Sequence, residues 1–104
     1  MKVIESSMVR AIRAKKDFKN SNTRVTFFDG VARVYLFNNL IATCDSITGD
    51  VEVFTRYKSQ TTKSRLNAIL GEFCNTRIYA KDFVWYYSQT NEPCYENKVF
   101  KKEL

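Results

Sequence analysis

Five consecutive residues, Thr61, Thr62, Lys63, Ser64 and Arg65, bring together hydroxyls and two cations at the start of the clearest helical pattern in the chain. Thr61 or Thr62 is placed to act as N-cap, which leaves backbone N–H groups unpaired at the positive end of the helix dipole. That combination suits an anion. Lys63 and Arg65 also stand at the end of a helix where cations are disfavoured by about 0.3–1 kcal/mol each, a cost that an anionic partner would offset. The bland alternative is an ordinary threonine cap with both cations turned to water. Arg10 and Arg13, on the polar side of an amphipathic N-terminal segment, are further candidates for contact with an anion or a nucleic acid.

A second group, Arg24, Arg33, Tyr35, Phe54 and Arg56 with Phe37, interleaves cations and aromatics in strand-like segments. Such surfaces stack nucleic-acid bases or anchor protein interfaces. Trp85, within Phe83 to Tyr87, fits either use or a core. The competing reading is packing, with the C-terminal segment covering this face and burying Phe37 and Phe54.

Catalytic chemistry is poorly served. The chain has no histidine and neither a Gly-x-Ser-x-Gly elbow nor a phosphate-binding Gly-x-x-x-x-Gly-Lys loop. Any carboxylate pair would draw on Asp29, Asp45, Asp50, Glu52 or Asp82, of which the first three have simple turn roles. No catalytic residue, cofactor or metal ligand set is assigned, and no enzymatic activity is expected. Three cysteines, Cys44, Cys74 and Cys94, without a C-x-x-C pair suggest reduced structural thiols, with Cys94 a candidate surface thiol.

These groups must be carried by one small fold. The 104 residues, 44% apolar and 14% aromatic, suffice for one core, and no apolar run approaches the roughly 18 residues of a membrane span. The expected location is intracellular, away from membranes. The net charge of +6 is uneven. Residues 1–30 hold seven basic residues against three acids, and residues 61–80 hold three (Lys63, Arg65, Arg77) against Glu72. A basic surplus draws a chain toward phosphates or an acidic protein surface.

Val3 to Lys16 reads as a first helix with Ile4, Met8, Ala11 and Ile12 on one face. Asp29-Gly30 is a two-residue hairpin signal between Thr23–Phe28 and Val31–Phe37, setting Phe28 opposite Val31, Val25 opposite Val34 and Thr23 opposite Leu36. Asn38-Asn39 reads as the next turn, placing Ile41 opposite Leu36, and Val51 to Tyr57 as a fourth strand. Leu66, Ile69, Leu70, Phe73 and Cys74 form the stripe of the second helix, with Ser64, Ala68 and Glu72 opposite. Arg77 to Tyr87 adds strand, divided near Lys81-Asp82. The expectation is an α+β fold, an antiparallel meander of four to six strands with two amphipathic helices on one face, in the order αββββαβ. Residues 1–87 form the domain, and residues 88–104, with Cys94, Tyr95, Val99, Phe100 and Leu104, a loosely packed tail.

Three segments carry a resemblance: Ser21-Asn22-Thr23-Arg24-Val25, Val34 through Ala42, and Thr61 through Leu70. Over roughly residues 10–85 the chain resembles a family of small, largely uncharacterised bacteriophage and prophage proteins. The family supplies no settled activity to transfer. What the resemblance implies is a phage origin, where short accessory genes commonly encode proteins that bind and redirect host or defence machinery. The expected partner is therefore a host or defence protein or nucleoprotein. Direct binding of DNA or RNA through the first helix and the Thr61 to Arg65 turn is the alternative. An uncovered edge strand also leaves a route to a homodimer.

Overall fold

A computed structural model describes residues 2–94 and 97–102. Among these, the chain forms helices α1 (Val3–Ala14) and α2 (Gln60–Phe73) and strands β1 (Phe18–Asn20), β2 (Thr23–Phe28), β3 (Val31–Leu36), β4 (Asn39–Asp45), β5 (Asp50–Val53), β6 (Ile78–Lys81), β7 (Val84–Tyr87) and β8 (Lys98–Lys101). The order is αβββββαβββ. Six strands make one antiparallel sheet in the order β1-β2-β3-β4-β5-β8, and β6-β7 is a separate hairpin.

The β2–β3 pairing follows its turn. Asp29 and Gly30 both have positive φ, as a type I′ turn requires, and Phe28 faces Val31, Val25 faces Val34 and Thr23 faces Leu36. Gly30 is needed for its φ of +82°; a Cβ there would also lie 2.7 Å from Cδ1 of the exposed Ile47, whose side chain is free to swing aside. The next turn differs from expectation. Phe37 and Asn38, not Asn38 and Asn39, occupy its left-handed positions, so Leu36 pairs with Asn39 and the register slips between Val34 and Tyr35. Ile41 is the extra residue of this bulge. It remains fully buried, as does the adjacent Ala42.

Val25, Ala32, Val34, Leu36, Ile41, Val51 and Val53 supply the inner face of the sheet, and Leu66, Ile69, Leu70 and Phe73 of α2 complete the core with Met8, Val9 and Ile12 of α1. The stripe of α2 is wider than its apolar residues suggest, because Ala68 on the expected outer face is buried together with Thr62 and Arg65. Helix α1 flanks α2 on one side. On the other, Asn67 clasps β6, donating to Ile78 O at 3.0 Å and accepting from Ile78 N at 2.6 Å. The buried side of α1 is rotated from the expected face, with Glu5 and Val9 inside while Ile4 and Ala11 are half-buried.

Four further expectations are corrected. Strand β5 ends at Val53, where the chain leaves the sheet so that Thr55 Oγ1 can donate to Cys94 O at 3.1 Å. The run Lys15 to Asn22 reads from sequence as a helix end with Asn20, Ser21 and Asn22 as turn formers and Phe18 folded back on the core; Phe18 does pack there, but Phe18–Asn20 is an edge strand paired with β2. The expected loose tail contributes β8, whose Phe100 faces Val51 and packs edge-on against Tyr87 at 5.2 Å. Alternation of Lys98, Val99, Phe100 and Lys101 buries one aromatic, and that suffices to dock a short edge strand. Cys94 is buried, not a surface thiol. Tyr95 and Leu104 lie outside the described residues.

Candidate functional site

Ser59, not a threonine, caps α2: its φ of −140° is extended and its hydroxyl accepts from Thr62 N at 3.1 Å. Thr62 is buried with its own hydroxyl 2.9 Å from Ser59 Oγ. Arg65 turns inward. Its Nη1 donates to Glu5 Oε2 at 2.7 Å, its Nε to Thr23 Oγ1 at 3.0 Å and its Nη2 to Asn22 Oδ1 at 3.4 Å, while Ser64 Oγ donates to the same Glu5 oxygen at 2.5 Å. The side chains of Arg65 and Glu5 are only 6% and 5% exposed. The anion that the Thr61 to Arg65 segment accommodates is thus supplied from within, by the carboxylate in the first turn of α1. Of the five residues, Thr61, Lys63 and Ser64 are half-exposed, and Ser64 is already bonded to Glu5.

The α1 cations divide similarly. Arg13 bonds Glu72 through Nε and Nη2 and lies over the Phe73 ring at 5.0 Å, bracing α1 against α2. Arg10 is exposed.

The outer face of the sheet is the more open surface. With the inner residues directed at the helices, Arg24, Thr26, Arg33, Tyr35, Thr43 and Glu52 point the other way and stay half-exposed, and Leu40 and Val99 are exposed. Cross-strand register aligns Thr26, Arg33, Thr43, Glu52 and Val99 in one row, and Lys19, Arg24, Tyr35 and Leu40 in another. The Arg24 guanidinium lies over the Tyr35 ring at 4.4 Å, an arrangement worth roughly 0.5–1 kcal/mol at an exposed site. Strands β1, β2 and β3 contain no acid, so this half of the face is uniformly basic. The other half is mixed, with Asp50 paired to Lys101. Among the described residues the C-terminal segment does not cover the face: β8 extends the sheet sideways, and Phe37 is 59% exposed. Phe54 is half-buried just beyond β5, with its N–H bonded to Ile41 O at 2.9 Å. Arg56 is exposed in the following bend, and Trp85 is half-buried on the hairpin with Lys58 Nζ 5.8 Å from its ring centroid. Neither joins the Arg24 and Arg33 rows.

At the corner where these rows end, Lys19, Ser21, Asn22, Thr23, Arg24, Phe37 and Asn38 line a shallow concavity of about 570 Å³. Two turns build it. The β2–β3 register carries Asn22 alongside Phe37, whose N–H donates to Asn22 O at 2.9 Å. Ser21, Phe37 and Asn38 all have φ between 50° and 66°. For a phenylalanine that backbone costs about 1–2 kcal/mol relative to a right-handed residue, and here most of the residue stays exposed. Neither Lys19 nor Arg24 forms an ion pair among the described residues. Asp17, close by, directs its carboxylate to Phe27 N at 2.8 Å. Reading strand by strand misses this corner, because Lys19 belongs to the unexpected β1 and the turn residues serve only as turn formers; the hairpin register was the signal that could have joined them.

Ionisable groups shifted by their surroundings lie elsewhere. Burial pushes the Cys44 thiol up to about 12 and also raises the Cys94 thiol and the Tyr87 phenol above their usual values. Asp45 lies below its usual value because the Thr48 and Ile47 N–H groups bond its carboxylate, and Asp50 because Lys101 pairs with it. No group of three metal-binding side chains occurs among the described residues, nor is any described helix long and apolar enough to cross a membrane.

A family model described as Kyanoviridae Gp96 protein matches residues 1–103. The chain belongs to this cyanophage family, which bears out the phage resemblance and extends it over nearly the whole sequence. No curated protein and no solved structure matches.

Proposed function

We propose that this member of the Kyanoviridae Gp96 family is a non-enzymatic accessory protein, of host-takeover or anti-defence type, that works in the host cytoplasm by docking on a host protein or nucleoprotein. The observation that carries the reading is the open outer sheet face. Both helices and the β6–β7 hairpin are spent on the inner side, leaving Arg24, Arg33 and Tyr35 displayed on strands without acids. Tyrosine and arginine are the common anchors of interfaces, and a one-signed patch favours an acidic partner and speeds its encounter. Rigid strands hold these side chains in place before binding, which limits the entropy lost on association.

The test is capture of partners from host lysate by tagged protein, with and without nuclease, against an Arg24→Glu/Arg33→Glu variant. Specific partners that survive nuclease and are lost with the charge reversal are expected. Equal recovery by both proteins would remove the outer face from consideration.

Direct nucleic-acid binding through α1 and the start of α2 loses support, since Arg65 and Arg13 are committed to Glu5 and Glu72. The corner concavity favours a different location for such contact.

A further inference from the structure

We infer that the concavity between the Ser21-Asn22 and Phe37-Asn38 turns is a subsite for one nucleotide of a single-stranded nucleic acid, with Phe37 stacking on the base and Lys19 and Arg24 meeting its flanking phosphates. The inference goes beyond docking through the open face and does not depend on it. Three independent observations converge on the corner.

The first is shape: about 570 Å³ of shallow hollow is room for a nucleotide unit, open enough for a strand to continue on either side. The second is charge. Lys19 and Arg24 line the hollow without a carboxylate partner among the described residues, and the Tyr35 ring holds the Arg24 guanidinium by one face, leaving its in-plane N–H groups for phosphate oxygens. The third is Phe37. Its left-handed backbone is one that asparagine or glycine adopts more easily, yet a 59% exposed aromatic stands there beside the cations. Folding gains little from that ring; stacking on a base uses it fully. Asn38 and Asn22 add amide groups to the rim, next to where the base edge would lie.

The arrangement distinguishes strand types. A duplex keeps its bases stacked on each other and offers phosphates alone, so it uses the cations but not Phe37. Single strands use both. With so few cations, the salt dependence should be shallow, about 0.7 in logarithmic slope for each phosphate neutralised.

Fluorescence anisotropy with 5′-labelled twelve-residue thymidine and uridine strands, at 50 and 200 mM salt, tests this directly. Phe37→Asn is the decisive variant, because asparagine suits the turn: its melting temperature should equal or exceed that of the unaltered protein while affinity falls roughly 10-fold or more. Lys19→Gln and Arg24→Gln should each weaken binding and lower the salt slope by about one phosphate. The inference is overturned by absence of single-strand binding at 50 mM salt, by Phe37→Asn binding within twofold of the unaltered protein, or by a duplex of equal length binding as well. Displacement of the strand by thymidine monophosphate at an equal concentration of nucleotide units would also overturn the assignment to a strand. Because lysate capture is scored after nuclease, failure here leaves the docking result standing on its own.

Discussion

Removing Glu5 strands a guanidinium in the core, and the cost can be worked from the geometry. The Glu5 carboxylate receives Arg65 Nη1 and Ser64 Oγ on one oxygen, with both ionic side chains at most 6% exposed. Deleting one member of such a buried pair typically costs about 3–5 kcal/mol, because the survivor stays desolvated without its counter-charge. A domain of 104 residues has an unfolding entropy near 0.22 kcal/mol/K, so Glu5→Ala should lower the melting temperature by about 14–23 °C. Arg65→Met should do similar damage, since it leaves the carboxylate with the Ser64 hydroxyl alone. Glu5→Ala combined with Arg65→Met removes both charges and should be more stable than the sum of the single losses by at least about 2 kcal/mol. Urea unfolding followed by circular dichroism gives all four corners of this cycle. The half-exposed Arg13–Glu72 pair, with side chains 44% and 31% exposed, is the internal control and should couple by about 1 kcal/mol or less. Single losses below about 1 kcal/mol at Glu5 or Arg65, or additivity within about 0.5 kcal/mol, would refute the reasoning.

Gly71→Ala, on the exposed side of α2 where a Cβ meets nothing within 4 Å, should stabilise by about 1 kcal/mol. Gly30→Ala should destabilise by about 1 kcal/mol or more, because of its φ of +82°; equal and same-signed shifts in denaturant midpoint would contradict the assigned turn. Tyr87→Phe keeps the ring against Phe100 and deletes a buried hydroxyl that makes no hydrogen bond of good geometry among the described residues, with the Cys94 thiol and Thr55 hydroxyl close by, so stability should be unchanged or rise by up to about 1 kcal/mol, and a loss above about 1 kcal/mol would reveal a bond to one of them. Asp45 and Asp50 have folded values below the usual 3.8. They therefore add stability above that pH, and the contribution fades as pH falls from there through their depressed folded values. Asp45→Asn should flatten the acid limb of a stability-against-pH curve, and an unchanged limb would deny Asp45 its turn-pinning role.

The parts of the fold legible in the sequence were those fixed by local chemistry. Asp29-Gly30 set a register that puts every residue of β2 opposite its expected partner in β3, and the apolar spacing of α2 found its buried stripe. What escaped depended on partners distant in sequence. Phe18-Lys19-Asn20 is too short and polar to declare itself a strand, and becomes one only because β2 offers a free edge. Lys98 to Lys101 docks on β5 for the same reason. The bulge at Ile41 hinges on which pair of Phe37-Asn38-Asn39 takes the left-handed positions, and asparagine's tolerance of that backbone pointed to the wrong pair. Glu5 was the hardest case. A carboxylate in the first turn of a basic helix has every local reason to face water, and only Arg65, sixty positions away, explains its burial.

That same pair alters what the Thr61 to Arg65 segment means. Arg65 holds Glu5 with one arm of its guanidinium, while its other two donors reach Asn22 and Thr23, residues that also line the corner concavity. Asn22 in turn accepts from Phe37 N. The cation that looked suited to an external anion is therefore the rear support of another basic hollow, with its own charge balanced so that Lys19 and Arg24 alone face outward there. Were Arg65 unpaired it would add a third cation behind the hollow and favour any polyanion. With Glu5 in place, selectivity falls to the exposed ring of Phe37, and the buried pair acts on binding only by holding two turns in register.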